Sequence, residues 1–168
     1  MNKDIRSPDK LEDSAALEQL MRAYLTHELT ELAAVSDISV DLDSLLAATF
    51  ENIGAYLPPR GRLLMAYQDG SLVGCVFLKQ IRPDAAEIKR LFVTPAARGT
   101  GLGQALVDGV LAAAREMGMA RVLLDTGLWD KAAHGLYLKL GFRDIAPYPE
   151  SENDPQLFQF LRFMELEL

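Results

Sequence analysis

Three closely spaced glycines are the residues whose type and spacing most clearly suggest chemistry. Gly99, Gly101 and Gly103 lie between the apolar run RLFV and a long amphipathic pattern. Each costs a helix roughly 0.5–1 kcal/mol relative to alanine, so a compensating role is expected. A helix N-terminus offers unpaired N–H groups and a partial positive charge, and the missing Cβ atoms let an anion reach the backbone. With Arg98 beside them, the glycines predict a site for a pyrophosphate.

Other glycine motifs fit this spacing less well. A phosphate loop needs lysine after its last glycine, but Gly103 is followed by Gln104. A dinucleotide-binding unit needs G-x-G-x-x-G directly after its strand, whereas this chain has G-x-G-x-G and a gap between Val93 and Gly99, although Asp125 suits the ribose-binding acid. A methyltransferase sheet would start with this unit, and here strands precede it. These nucleotide-binding functions, and a glycine turn that only permits close packing, remain alternatives.

Two segments carry a family resemblance. LFVTPAARGTGLGQAL resembles the acyl-coenzyme A binding signature of the GNAT superfamily of N-acetyltransferases, whose core Arg/Gln-x-x-Gly-x-Gly/Ala is satisfied by Arg98, Gly101 and Gly103. AAHGLYLKLGF is similar to that family's Leu-Tyr-x-Lys-x-Gly-Phe block, with Tyr137 in register. The two blocks occur in the family's order. The resemblance covers most of residues 61–168, and the segment before it carries no signature.

The resemblance implies acetyl-coenzyme A as the cosubstrate, without a metal. In the family, backbone amides of the loop and first helical turn hold the pyrophosphate, and the preceding strand pairs through its main chain with the pantetheine arm. The residues that inherit these contacts are Leu91, Phe92, Val93, Arg98, Gly99, Thr100, Gly101, Leu102 and Gly103. Asp130 stands where many members have an asparagine that bonds to the coenzyme arm. An aspartate caps helices but has no amide donor.

Two catalytic roles also follow from the resemblance. Tyr137 is expected near the coenzyme sulfur, where it would protonate the departing thiolate; the alternative is a core aromatic residue. An acceptor ammonium must lose a proton, at a cost of roughly 4–5 kcal/mol at neutral pH, so a carboxylate or ordered water should assist. Glu87 is the candidate base, with a solvent-facing charge as its alternative. His134 is expected to pack beside the coenzyme.

Hydrophobic periodicity indicates the elements that position these residues. It predicts an α+β fold: an antiparallel meander, a crossover helix, and a parallel pair of strands flanked by helices. The resemblance implies that this is the fold of the GNAT family. The predicted helices are 14–34, 43–56, one from 102 to about 117, and 131–141. The predicted strands are 62–67, 72–81, 87–93, 120–128, 142–145 and 161–168.

Composition limits the classes of function. The 168 residues suit one domain, 1–168, and a net charge of −7 disfavours a nucleic-acid partner. A charged N-terminus with a proline, and no apolar run of ~18 residues, predict no signal peptide, no membrane partner and a cytoplasmic location. Cys75, in an apolar run, is expected to be a buried, inert thiol.

The sequence therefore predicts an N-acetyltransferase that acts on a primary amine of a small molecule or peptide. The alternative is a non-catalytic acyl-coenzyme A sensor or partner-binding module. The acidic segment 147–155 would attract a cationic acceptor if it folds over the site, and is otherwise a solvated surface. Exposed edge strands would allow pairing in a homodimer.

Overall fold

The computed structural model describes residues 2–12 and 14–168. Seven strands form one mixed sheet in the order β1-β2-β3-β4-β5-β7-β6. The strands are β1 Lys3–Arg6, β2 Gly61–Gln68, β3 Ser71–Arg82, β4 Ala85–Val93, β5 Arg121–Gly127, β6 Arg143–Asp144 and β7 Leu161–Glu167. The helices are α1 Ala15–Val35, α2 Leu42–Glu51, α3 Leu102–Glu116 and α4 Lys131–Lys139, with 3₁₀ turns at Ile53–Tyr56, Pro95–Ala97 and Pro155–Phe160.

The predicted meander is confirmed. Strands β2, β3 and β4 pair in antiparallel fashion in chain order. Asp69 and Gly70 both have positive φ, 49° and 83°, as a two-residue hairpin turn requires. The predicted parallel pair is β4 and β5, connected by α3 as the crossover helix.

One helix and one strand differ from the sequence prediction. The predicted helix 43–56 is α2 followed by a 3₁₀ turn, and it starts after Asp41, whose side chain accepts a hydrogen bond from the Ser44 amide. Gly54 lies within this 3₁₀ turn, and glycine is a poor helix former. Strand β1 was not predicted, because its four residues are all exposed and show no alternation.

Helices cover both faces of the sheet. On one face, α3 and α4 bury Leu106, Val110 and Tyr137 against the alternate residues Val76 and Leu78 of β3. On the other face, α1 and α2 pack against the intervening positions of β2 and β3, and Cys75 is fully buried there as predicted. Each face of the sheet therefore belongs to a separate hydrophobic core. Among the described residues, no helix combines the length and apolarity needed to cross a bilayer.

A bulge in β4 places two cations on the face covered by α1. Cys75 of β3 pairs with Phe92 of β4, and Phe77 pairs with Lys89. The paired residues are two positions apart in β3 and three apart in β4, so β4 contains one extra residue. Arg90 has φ 52° at this point, so alternation is interrupted. Lys89 pairs opposite Phe77, and the Arg90 guanidinium carbon lies 5.8 Å from the same ring. Neighbouring residues of one strand thus share a face.

Candidate active site

A cleft opens where the two parallel strands part. Strands β4 and β5 pair only over Ala85–Ile88 and Arg121–Leu124, and beyond these residues they do not pair with each other. The remaining edge of β4, residues 89–93, faces a cleft of about 570 Å³. Its walls come from α1, β4, the start of α3, the end of β5, α4 and the segment before β7.

The glycine loop borders one end of this cleft: Arg98 and Gly103 line it, whereas Gly99, Thr100, Gly101 and Leu102 do not. Gly99 and Gly101 have φ of 73° and 85°, which side chains rarely adopt, so these two glycines are required by the turn. Thr100 closes the loop by donating from Oγ1 to the Ala97 carbonyl at 2.7 Å. Gly101 is the N-cap of α3 and no side chain caps this helix. The amides of the first turn therefore keep their hydrogen-bonding capacity.

Gly103 differs from the other two glycines. It lies within α3 and lines the cleft. A Cβ added there would come no closer than 3.9 Å, to Leu136, which is ordinary contact. Its backbone and packing therefore do not require glycine, and the missing side chain leaves space at the cleft.

The residues expected to hold the coenzyme arm lie along the free edge of β4. Leu91, Phe92 and Val93 all line the cleft. The Phe92 ring packs 5.7 Å from Tyr24 of α1 on the opposite face. Arg98 also lines the cleft, and its Nε donates to the Val93 carbonyl at 3.0 Å. That bond fixes the guanidinium between the strand end and the loop.

Tyr137 projects from α4 into the cleft. Its side chain is buried, with the ring centroid 5.3 Å from that of Phe142. Burial raises the pKa of the Tyr137 hydroxyl. None of the residues that the structure describes forms a hydrogen bond with this hydroxyl, so it keeps a proton and a free donor.

Glu87 is fully buried and does not face solvent. Tyr148 donates to its Oε2 at 2.7 Å, while Lys79 and Lys89 lie 3.9 and 3.8 Å from Oε1. Burial raises the pKa of Glu87, and Lys89 partly opposes this rise. Glu87 itself does not line the cleft, but Lys89 does, and its ammonium also lies 3.7 Å from Asp125 at the cleft wall.

Asp130 and His134 depart from the sequence expectation. Asp130 is at the N-cap of α4 and lines the cleft, but its side chain does not cap the helix. It accepts instead from Thr126 Oγ1 at 3.2 Å, and burial raises its pKa. His134 does not line the cleft. It is buried with Nε2 2.9 Å from the Gly127 carbonyl, because the small turn after β5 lets the ring reach that oxygen.

The first helix contributes a carboxyl that the sequence analysis missed. Glu28 lines the cleft and accepts from Trp129 Nε1 at 3.3 Å. Burial, with a smaller contribution from Asp130, raises the pKa of Glu28 to about 8. One signal was present in the sequence: Glu28 lies three residues after Leu25 and four before Leu32, within the apolar stripe of α1.

Glu28, Asp130 and His27 form a polar cluster at this wall. One ligand-type atom of each lies within 4.8 Å of the others, and His27 Nε2 is 3.9 Å from Asp130 Oδ1. Such a group can surround a metal ion or a compact ammonium.

The acidic segment 147–155 folds onto the sheet. Glu150 accepts two hydrogen bonds from Arg82, at 2.5 and 2.7 Å, and Glu152 pairs with Lys79. Ser151 donates to Asp125 at 3.1 Å, and Asn153 lines the cleft. The segment therefore borders the site, but its glutamates are engaged by cations of the sheet.

Comparisons with known proteins agree with this geometry. The sequence profile of the Acetyltransferase (GNAT) family matches residues 15–142. An IAA acetyltransferase of Azospirillum brasilense is 36% identical over 98 residues, which is 58% of this chain and 64% of that protein. The chain thus matches less than two thirds of that relative's length.

Solved structures share the fold. A GNAT-family acetyltransferase of Staphylococcus aureus superposes with a TM-score of 0.79 over 99% of both chains at 22% identity. An acetyltransferase of Salmonella typhimurium, solved with its cofactor acetyl-CoA, gives a TM-score of 0.69 over 100% of this chain and 95% of the other at 23% identity. The profile match, the cleft between the parting strands and the glycine loop identify the chain as a member of the GNAT acetyltransferase family.

Proposed function

We propose that the protein transfers an acetyl group from acetyl-coenzyme A directly to a primary amine of a small molecule or peptide. One observation carries the proposal: the uncapped N-terminus of α3, the free edge of β4 and the Tyr137 hydroxyl face a single cleft. These are the three groups needed to hold a diphosphate, an amide-rich arm and a leaving thiolate. The acetyl-CoA-bound relative of Salmonella typhimurium supports this choice of cosubstrate.

The coenzyme would lie along the cleft from loop to strand. The amides of Gly99, Thr100, Gly101, Leu102 and Gly103, with the Arg98 guanidinium, would hold the diphosphate. Leu91, Phe92 and Val93 would bond through the main chain to the pantetheine arm, and one amide of this edge would polarise the thioester carbonyl. Asp130 would lie beside the arm without offering the amide donor of an asparagine.

The proposed reaction is a direct displacement. The neutral amine nitrogen attacks the thioester carbonyl carbon, a C–N bond forms, and the C–S bond breaks as the tetrahedral intermediate collapses. Tyr137 donates its proton to the departing thiolate, and the nitrogen of the intermediate releases one proton to the solvent, from which Tyr137 is reprotonated. The hydroxyl suits this role because its raised pKa keeps it protonated and no described residue forms a hydrogen bond with it. None of these steps calls for a metal ion.

The ammonium proton has to leave before attack. We assign its final acceptor to Glu87, reached through water beside Lys89 and Asp125, since a buried carboxyl with a raised pKa takes up a proton readily. Glu28 and Asp130, which line the cleft, would hold the ammonium before it loses its proton. An arriving cation lowers the pKa of Glu28, because a nearby positive charge favours the carboxylate.

Thermal shift and thiol-release assays test this function. Acetyl-coenzyme A should raise the melting temperature by an amount that grows with its concentration. An amine panel should then release coenzyme A thiol only in the presence of an acceptor. Stabilisation without release for any amine or peptide N-terminus would favour a non-catalytic acyl-coenzyme A sensor, and no stabilisation at millimolar ligand would contradict the proposal.

A further inference from the structure

Arg90 is a cation of the cleft that lacks a counter-ion among the described residues. Arg90 lines the cleft, and no carboxylate of a described residue lies within 4.0 Å of its guanidinium. Its Nε is buried without a hydrogen-bond partner, and its Nη1 makes one long bond, 3.4 Å, to the Tyr56 hydroxyl. A guanidinium has five donors, and a buried donor without an acceptor destabilises the folded protein. An anion in the cleft would remove that destabilisation.

The neighbouring acids are already engaged. Lys89 lies 3.8 Å from Glu87 and 3.7 Å from Asp125. Lys79 pairs with Glu152, the acid whose pKa Arg90 helps to lower from a distance. Arg90 is therefore left free by the arrangement of its neighbours. The β4 bulge, where Arg90 has φ 52°, keeps its side chain on this face of the sheet.

The coenzyme diphosphate does not account for this cation. The glycine loop begins α3, which packs on one face of the sheet. Arg90 lies against the rings of Tyr56 and Phe77, which belong to the core of the opposite face, under α1. That is the side on which Glu28 and Tyr24 border the cleft.

Arg90 and Glu28 face the same space. Tyr24, Glu28 and Arg90 all line the cleft. Burial raises the pKa of Tyr24, Glu28 adds to this rise and Arg90 opposes it. The cleft thus carries an acidic wall that suits an ammonium and, across Tyr24, a guanidinium that suits a carboxylate. Arginine binds carboxylates through two parallel hydrogen bonds.

We infer that the acceptor is an amino carboxylic acid: an amine that also bears a free carboxylate, which Arg90 binds. This inference rests on the proposed acetyl transfer and adds the substrate class. A polyamine, a simple alkylamine that carries no carboxylate, or the N-terminus of a long peptide offers no free carboxylate near the amine. An amino acid offers both groups in one small molecule, within the size of the cleft.

The test compares matched acids and amides. L-amino acids and ω-amino acids of three to six carbons are each measured beside their carboxamide, for thiol release and for binding by calorimetry in the presence of coenzyme A. We expect at least one acid to exceed its amide by about tenfold or more in both affinity and kcat/KM. Arg90→Gln should abolish the difference by weakening the acid alone, and Arg90→Lys should retain part of it because the charge remains.

Two controls separate this inference from the proposed function. Arg115→Gln, at the exposed end of α3, should keep the wild-type preference for the acid. The acetyl-coenzyme A thermal shift should be equal in the wild type and all three variants, which also establishes that the variants fold. If no acid exceeds its amide, or if Arg90→Gln keeps the preference, the inference is wrong even where acetyl transfer is observed. Absence of the coenzyme shift contradicts acetyl transfer itself.

Discussion

At the scale of single residues, Tyr137 shows how burial and reactivity combine. The side chain is enclosed on α4, yet its hydroxyl opens to the cleft and none of the described residues bonds to it. A core tyrosine normally finds a hydrogen-bond partner. At a cleft wall, such a hydroxyl is available to a ligand atom.

Replacing Tyr137 with phenylalanine tests this role. We expect kcat to fall by about 100-fold or more, with the KM for acetyl-coenzyme A nearly unchanged, because only proton donation is removed. Steady-state kinetics with thiol detection measures both constants. Tyr67→Phe, on β2, is the matched control and should behave as wild type. Normal turnover by Tyr137→Phe would contradict the assignment.

Glu87→Gln addresses the proton acceptor. Because burial raises the pKa of Glu87, the wild-type kcat/KM should fall as pH drops through a value above that of an ordinary glutamate. The glutamine variant should lose this limb along with most activity. A pH profile of each protein gives the answer, with Glu116→Gln, on the exposed end of α3, as the control. An unchanged acidic limb in Glu87→Gln would exclude Glu87 as the base.

Residue roles were predictable from sequence only where spacing is local. The loop residues 98–103 and Tyr137 belong to contiguous motifs, so the chain itself reveals them. Glu28 is identified by its hydrogen bond with Trp129, which is distant in the sequence. Arg90 is identified by a buried Nε that has no hydrogen-bond partner in the fold. No local pattern reports such contacts.

At the scale of elements, the first turn of α3 contains a residue that lowers helix stability and that we assign to coenzyme binding. Gly103 weakens the first turn of the helix, and the surrounding protein leaves room for a Cβ. Gly135 of α4 is equally unencumbered, with nothing within 4 Å of an added Cβ, but it does not line the cleft. The two glycines form a natural pair for comparison.

Alanine at each position should separate stability from binding. Both Gly103→Ala and Gly135→Ala should raise the free energy of unfolding by up to about 1 kcal/mol, because alanine is the better helix former. Only Gly103→Ala should lose the acetyl-coenzyme A thermal shift, since its methyl group fills the space for the diphosphate. Denaturant unfolding and thermal shift measure the two effects. Equal coenzyme binding by both variants would remove Gly103 from the site.

Most elements were predictable, and the exceptions have physical causes. Strands β2–β5 and β7 bury at least one face, so apolar alternation or continuous apolar runs mark them. Strand β1 is fully exposed and forms through main-chain pairing with β2, which leaves no pattern. The bulge at Arg90 depends on the register between β3 and β4, which no single segment encodes.

At the scale of the whole molecule, the fold buries carboxyl groups at the cleft wall and in the core beside it. Burial raises the pKa values of Glu28, Glu87 and Asp130 together, so the folded protein holds protons there more tightly than the unfolded chain. For Glu28 the stabilisation is complete below the ordinary pKa of 4.5 and is lost as pH rises through about 8. The site therefore reduces stability at alkaline pH.

Glu28→Gln measures this effect on the whole fold. The melting temperature of the variant should exceed that of the wild type by a margin that widens from about pH 5 to about pH 8 and then stays constant. Scanning calorimetry across this range follows the margin. Glu18→Gln, on the exposed side of α1, gives the effect of the amide replacement itself. A margin independent of pH would mean that Glu28 ionises as it does in water.

The central claim is that main-chain donors at the start of α3 bind the diphosphate of an acylated coenzyme. A crystal structure of the protein with acetyl-coenzyme A measures this directly. The account predicts diphosphate oxygens within about 3.2 Å of the amide nitrogens of Leu102 and Gly103, with the thioester beside residues 91–93. Those amides facing solvent, with the coenzyme bound elsewhere, would contradict it.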